Sequence, residues 1–163
     1  MGYDIEIQSV ASVPLAAVRR QVPPGGVATA WRPALDLVWT FVRAQAGLWT
    51  GGHNVFVYWH PARPGEPMAV DFGVEVTGPF HGDGTVQPAQ TPGGRVASTR
   101  HVGPIDRLGE AHAAIEAWRS EGGEVFAGVS WETYGDWGDD PATFEVRVTY
   151  LLARGATLPP EPP

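Results

Sequence analysis

Apolar residues recur along the chain at two different spacings, and these spacings predict its secondary structure. Residues 68–77 alternate apolar and polar positions, which is typical of a strand with one buried face. Residues 27–46 instead place apolar side chains every three or four positions, from Trp31 to Val42, which predicts an amphipathic helix. The same spacing, closed by a glycine pair, predicts a second helix over 105–122. Further strands are predicted at 13–22, 53–59, 94–102, 124–134 and 143–152, with a short one near Val86.

The two helices stand at equivalent places in two halves of the chain. Residues 17–24 and 97–104 each read as the end of a strand followed by a proline turn, and each precedes a helix and two strands. We therefore predict an α+β fold of two β-α-β-β units with pseudo-two-fold symmetry. Such units commonly join into an antiparallel sheet with the helices on one face. The other face then needs a cover, a partner or a ligand, and we expect a ligand cleft there.

The amino-acid composition excludes several classes of function but says less about the fold. A chain of 163 residues is about one domain, which we place at residues 1–153, with the proline-rich residues 154–163 as a flexible tail. The net charge of −7 and the absence of lysine argue against direct nucleic-acid binding and exclude a lysine Schiff base. With no cysteine, thiol catalysis and cysteine-bound zinc are excluded. Neither a signal peptide nor a long apolar stretch is present, so we expect a cytoplasmic protein that does not bind membranes.

The five histidines do not have the spacing of metal ligands, so we predict no metal and no cofactor. His101 precedes a Gly-Pro turn, where it is expected to orient the loop.

The segment GVSWETYGDW, residues 128–137, sets an acid among large aromatic residues. In a strand, Glu132 and Tyr134 share one face, whereas Trp131 points to the other. A carboxylate surrounded by aromatic rings loses hydration, which disfavours its charge unless a cation arrives. A flat cation would also gain cation–π contacts of about 0.5–2 kcal/mol each. The alternative interpretation is that Glu132 simply faces solvent.

For several other residues, a ligand-binding role and a purely structural role agree equally well with the sequence. Phe56 and Tyr58 share one face of a strand and could line a cavity or pack in the core. Tryptophans at the ends of elements, Trp31, Trp59 and Trp137, could rim a cleft. Glu145 could enter a pocket or form an exposed ion pair on the sheet.

Five segments carry a resemblance to a known family: ASVPLAAVRR, GGHNVFVYW, VDFGVEVTGPF, GGRVASTRHVGPIDRLGEAHAAIEAW, and GVSWETYGDW with TFEVRVTYLL. In this order, over about residues 3–152, they resemble the GyrI-like small-molecule-binding domain. That domain is also the effector-binding part of multidrug-responsive transcription regulators.

The resemblance implies a stand-alone protein that binds hydrophobic, aromatic and commonly cationic compounds in a cleft between its halves. Such binding could serve self-protection against these compounds. It places a ligand-facing acid at Glu132. The ligand-binding residues expected on this basis are Phe56, Tyr58, Phe72, Trp131, Glu132, Tyr134, Trp137 and Glu145.

Two alternatives come with the resemblance. One is a hydrolase of strained, cyclopropane-bearing natural products, with Glu132 as the acid and Tyr58 or Tyr134 polarising the substrate. The other is a protein-binding regulator such as a gyrase inhibitor, with a protein partner. Because the first strand is expected to begin at residue 3, we do not expect a helix-turn-helix before the domain.

Overall fold

The computed structural model describes residues 2–136 and 138–153. The predicted cleft residue Trp137 and the predicted tail lie outside these ranges. In chain order the elements are β1 (Glu6–Val10), β2 (Pro14–Val22), α1 (Val27–Arg43), β3 (Asn54–Trp59), β4 (Met68–Glu75), β5 (Gln87–Gln90), β6 (Gly94–Val102), α2 (Leu108–Gly122), β7 (Phe126–Tyr134) and β8 (Glu145–Leu152). Short 3-10 turns lie at Ile105–Arg107 and Pro141–Thr143.

The chain divides into two compact units, each built around one of the helices. The amino-terminal unit comprises β2, α1, β3, β4 and β5, and the carboxy-terminal unit comprises β1, β6, α2, β7 and β8. Both contain the predicted β-α-β-β order, so the α+β fold class is confirmed. No helix within the described residues is long and apolar enough to span a membrane.

The amino-terminal unit has antiparallel strands in the order β3-β4-β2-β5. Phe72 of β4 lies opposite Val18 on one side and Phe56 on the other. Ring contacts continue from Phe72 to Phe56 and then to Trp31 of α1, which identifies this as the helix-covered face. On α1, the predicted stripe buries Leu35, Val38 and Val42, while Trp31 is half-buried.

Helix α1 ends at Arg43, three residues before the predicted end. The amides of Ala44 and Gln45 donate to the carbonyls of Phe41 and Val42, so the last turn tightens into 3-10 geometry. Gly47, predicted to be the stop, has a φ of 75° and lies beyond the helix.

The carboxy-terminal unit has antiparallel strands in the order β1-β6-β8-β7. Helix α2 buries Leu108, Ala111 and Ile115 against a core that includes Val148 and Tyr150. The helix ends as predicted, because Gly123 adopts the left-handed conformation with a φ of 69°. Ahead of α2, Nε2 of buried His101 lies 2.9 Å from the Pro104 carbonyl oxygen, the loop contact expected of this residue.

Strand β7 contains an irregularity in its amino-terminal half. Phe126 pairs with Leu152 and Ser130 with Tyr150, so four steps along β7 match two steps along β8. Gly128, with a φ of 87°, lies within this bulge. Phe126 and Ser130 both lie on the face of β7 that α2 covers, because four steps along β7 and two along β8 are both even numbers and preserve the alternation.

The two units have the same internal strand order. The repeated sequence segments 17–24 and 97–104, however, do not match residue by residue at equivalent positions of the two units. Ala17 pairs with Gly73, on the face away from α1, whereas Ala97 pairs with Tyr150, on the face under α2. Matching residues 80 apart therefore exchanges the faces, because a strand alternates its side chains with a period of two.

Candidate functional site

The Glu132 carboxylate is shielded from solvent, which excludes the solvent-facing interpretation. Glu132 is 4% exposed and pairs with Val148, a core residue under α2. Its side chain therefore lies on the helix-covered face of its unit and not on the opposite face, where we expected the ligand cleft. Strand alternation brings Tyr134 to the same face, as predicted.

Tyr134 and His112 both form hydrogen bonds with this carboxylate. The Tyr134 hydroxyl donates to Oε1 at 2.8 Å, and Nε2 of His112 lies 2.7 Å from Oε2. His112 belongs to α2, and its side chain is 26% exposed against 6% for that of Glu132. The imidazole thus lies closer to solvent than the carboxylate that it contacts.

The hydrogen-bonded chain continues from His112 to Tyr150. Nδ1 of His112 lies 2.7 Å from the Tyr150 hydroxyl, which approaches it from β8. Burial, then the negative charges of Glu116 and Glu132, raise the pKa of Tyr150 to about 12. Tyr150 therefore keeps its proton at neutral pH and can donate it to Nδ1 of a neutral His112. In that state Nε2 carries the imidazole proton and donates it to Glu132.

Aromatic rings surround this chain of hydrogen bonds. The Phe126 and Tyr150 ring centroids are 4.6 Å apart, and the His112 ring meets Tyr150 edge-on at 5.7 Å. We refer to Glu132, His112, Tyr134 and Tyr150 as the acid cluster. Such surroundings strengthen the interaction of the carboxylate with any nearby cation, because little water is present to screen it.

Two of the predicted ligand-binding residues lie on the wrong face to join the acid cluster. Trp131 pairs with Thr149, and both point away from α2. Glu145 lies on that same face, where it forms an ion pair with Arg100 at 3.2 Å. Glu145 thus forms an exposed ion pair, and the alternation of β8 separates it from Glu132, while its participation in ligand binding stays a prediction.

Three predicted residues belong to the amino-terminal unit. Phe56, Tyr58 and Phe72 lie on the face covered by α1, and Phe72 is fully buried. Their packing accounts for their burial, and their participation in ligand binding stays a prediction. Trp59, predicted to rim a cleft, instead donates through Nε1 to Asp71 at 2.9 Å.

His112 and Tyr150 were not predicted as site residues. A signal for His112 is present in the sequence, since it falls between Leu108 and Ile115 on the apolar stripe of α2. A polar residue at a core-facing position needs a buried partner. No comparable signal marks Tyr150, whose strand is apolar on both faces near its end.

A second buried carboxylate lies in the amino-terminal unit. Asp71 is 3% exposed and accepts from Nε and an NH2 of Arg19 at 2.7 and 2.9 Å, as well as from Trp59. The hydrogen bond to Asp71 raises the pKa of Arg19, which thus stays charged. This arrangement is a closed ion pair with no titratable cation.

An open, polar depression of about 680 Å³ lies elsewhere in the carboxy-terminal unit. Its arginines Arg100, Arg107 and Arg147 are already ion-paired with glutamates. No group of three histidine, aspartate or glutamate side chains in the described part of the chain is placed to hold a metal ion.

A family model, that of the GyrI-like small molecule binding domain, matches residues 3–147. The chain belongs to the GyrI-like family. This GyrI-like domain is therefore a small-molecule-binding domain. Among curated protein sequences, none matches it.

Solved structures share the fold of this GyrI-like domain at low sequence identity. The EcmrR C-terminal domain has a TM-score of 0.75 at 18% identity, over 93% of this chain and 98% of that one. SAV2435, solved bound to tetraphenylphosphonium, has a TM-score of 0.72 at 8% identity, over 91% and 93%. A hydrolase from Listeria innocua has a TM-score of 0.60 at 11% identity, over 93% of each chain. At such identities the likeness shows the fold alone.

Proposed function

We propose that this GyrI-like domain binds a hydrophobic, aromatic compound that carries a positive charge, and that Glu132 receives that charge. The burial of the Glu132 carboxylate among Tyr134, Tyr150 and His112 is the observation that carries the proposal. A buried carboxylate that accepts hydrogen bonds attracts a cation more strongly than an exposed one. The tetraphenylphosphonium bound by SAV2435 is a compound of this class.

The proposed role is that of a cytoplasmic binder, which would sequester or sense the compound. The acidic net charge of −7 favours the approach of cations through long-range attraction.

Calorimetry with tetraphenylphosphonium tests this proposal. We expect saturable binding by the wild-type protein and an affinity about 10- to 100-fold lower in Glu132→Gln, which keeps the shape of the side chain but removes its charge. Glu66→Gln is the matched control. Glu66 is exposed in a loop, and its replacement changes the net charge of the protein by the same amount. Equal affinities of the two variants would contradict the role of Glu132.

A second candidate function is hydrolysis of a strained electrophile, and the link from Glu132 through His112 to Tyr150 favours it. An acid that hydrogen-bonds to an imidazole resembles the arrangement by which enzymes move protons. In this reaction water would add to a carbon of a cyclopropane ring, the ring bond would break, and its electron pair would take up a proton.

Product mass after incubation with a cyclopropane-bearing alkylating compound distinguishes hydrolysis from binding. An increase by the mass of one water, lost in Glu132→Gln, supports the hydrolase. Binding without product leaves only the first proposal.

A further inference from the structure

We propose that His112 is the internal counter-ion of Glu132, and that a bound cationic ligand takes over the neutralisation of the Glu132 charge, so that His112 releases one proton to solvent. This inference rests on the proposed function and names what determines the charge selectivity of the site. His112 is then a specificity-determining residue.

The geometry of the pair supports this exchange. His112 Nε2 lies 2.7 Å from the Glu132 carboxylate, which is the separation of a charge-assisted hydrogen bond. A buried carboxylate without a positive partner is costly, so an imidazolium at this place stabilises it in the ligand-free protein. A ligand cation near the same carboxylate makes the imidazolium charge redundant and repels it, which favours loss of the imidazole proton.

Loss of that proton leaves the hydrogen bonds in place. Tyr150 keeps its hydroxyl proton and can donate it to Nδ1 once that atom has lost its hydrogen. Nε2 still donates to Glu132. Neither the His112 nor the Tyr150 side chain needs to move for the proton to leave.

Other charged groups around α2 are already paired or lie at its surface. Glu116, one turn after His112, is bonded to Arg119 at 3.0 Å. The 3-10 turn before α2 contributes Asp106 and Arg107, and Arg107 is ion-paired with Glu110 of α2. His112 contacts Glu132 of β7 and Tyr150 of β8, and Tyr134 of β7 bonds the same carboxylate. On the neighbouring strand β6, Arg95 is ion-paired with Glu124 at 2.9 Å.

Calorimetry of tetraphenylphosphonium binding in buffers of different ionisation enthalpy measures the proton released. Between about pH 5 and 8, where imidazole ordinarily titrates, we expect up to one proton released per cation bound. Affinity should rise with pH, by up to about tenfold per pH unit, and then level off when His112 is neutral. Triphenylphosphine oxide, a neutral compound of related shape, should bind without this dependence.

His112→Gln is the decisive variant. A glutamine amide can still donate to Glu132 but never becomes charged, so at the acidic end of the range we expect tighter tetraphenylphosphonium binding than in wild type and no proton release. A merely structural histidine would not give tighter binding when replaced. Tyr150→Phe keeps the imidazole and should keep the pH dependence. If His112→Gln does not fold, the proton count of the wild-type protein still decides.

The failures are distinguishable. Binding by wild type without proton release, or identical pH profiles in wild type and His112→Gln, overturns this inference alone. A neutral compound with the same pH dependence also overturns it. No tetraphenylphosphonium binding at any pH overturns both this inference and the proposed function.

Discussion

The two units share one strand order yet treat a buried carboxylate in opposite ways. In the amino-terminal unit, Asp71 points away from α1 and is neutralised by Arg19, whose charge is permanent. In the carboxy-terminal unit, Glu132 points under α2 and contacts His112, whose charge depends on pH. An arginine partner makes a carboxylate a fixed structural element, whereas a histidine partner leaves its electrostatic state adjustable. The same strand order therefore holds one buried acid against an arginine and the other against a histidine.

The sheet faces that α1 and α2 cover differ in polarity. Under α1 the rings of Phe56 and Phe72 fill the space, whereas under α2 the corresponding space contains hydroxyl, imidazole and carboxylate groups. Apolar packing stabilises the first unit, and part of that stabilisation is given up in the second in exchange for a polar site. The following predictions test this contrast, from the largest expected effect to the smallest.

Truncation of the fully buried Phe72 should have the largest effect. Phe72→Ala leaves a cavity between β4 and α1, and we expect a loss of about 3–5 kcal/mol in the free energy of unfolding, measured by urea denaturation. Val148→Ala, at a core position under α2, is the comparison and should cost about 1–3 kcal/mol. If Phe72→Ala lowered the free energy of unfolding by less than Val148→Ala does, the aromatic packing under α1 would not be the main source of stability in its unit.

Alkaline pH should destabilise the carboxy-terminal unit through Tyr150. An unfolded tyrosine ionises near pH 10, whereas the pKa of Tyr150 is raised to about 12 in the folded protein. The stabilisation is fully present below about pH 10 and is lost as the pH rises towards 12, because only the unfolded chain releases the proton in that window. The loss amounts to roughly 2–3 kcal/mol.

Urea midpoints of wild type and Tyr150→Phe at about pH 9 and about pH 11.5 isolate this effect, since phenylalanine does not ionise. The stability difference between the two proteins should shrink or change sign as the pH rises. Parallel losses would show that Tyr150 is not shielded as described.

Removal of the Asp71 carboxylate should lower the free energy of unfolding but leave ligand binding unchanged. Asp71→Asn weakens the bonds from Arg19 and Trp59, and we expect a loss of about 1–3 kcal/mol because Arg19 can still turn its charge to solvent. Glu132→Gln should show the reverse pattern, with a change in stability of about 1 kcal/mol or less and a large loss of tetraphenylphosphonium affinity. Unfolding and calorimetry of both variants measure the two patterns. If Asp71→Asn abolished binding, the distinction between the two acids would be wrong.

Local patterns in the sequence predicted the elements of the fold because each element needs only its own periodicity. The stripe containing Leu35, Val38 and Val42 identified α1, and alternation put Glu132 and Tyr134 on one face of β7. Alternation cannot say which of the two faces a helix will cover. Trp131 and Glu145 were expected at the site on the basis of the family resemblance, although alternation already placed Trp131 on the face opposite Glu132.

The partners of Glu132 could not be predicted from spacing. His112 lies 20 residues before Glu132 and Tyr150 lies 38 residues after His112, and the contacts depend on how α2 packs across the sheet. The polar residue on the apolar stripe of α2 was a sign that some buried partner existed, but not of its identity.

The bulge at Gly128 has a consequence for changes in chain length. The strand already accommodates unpaired residues there, so an insertion or deletion in the turn between α2 and the bulge can be absorbed before the pairing that begins at Ser130. A single-residue deletion at Thr133 would instead move Tyr134 to the far side of the sheet, away from the carboxylate. Chain length is therefore less constrained before the bulge than after it, where the register fixes the position of Tyr134 relative to Glu132.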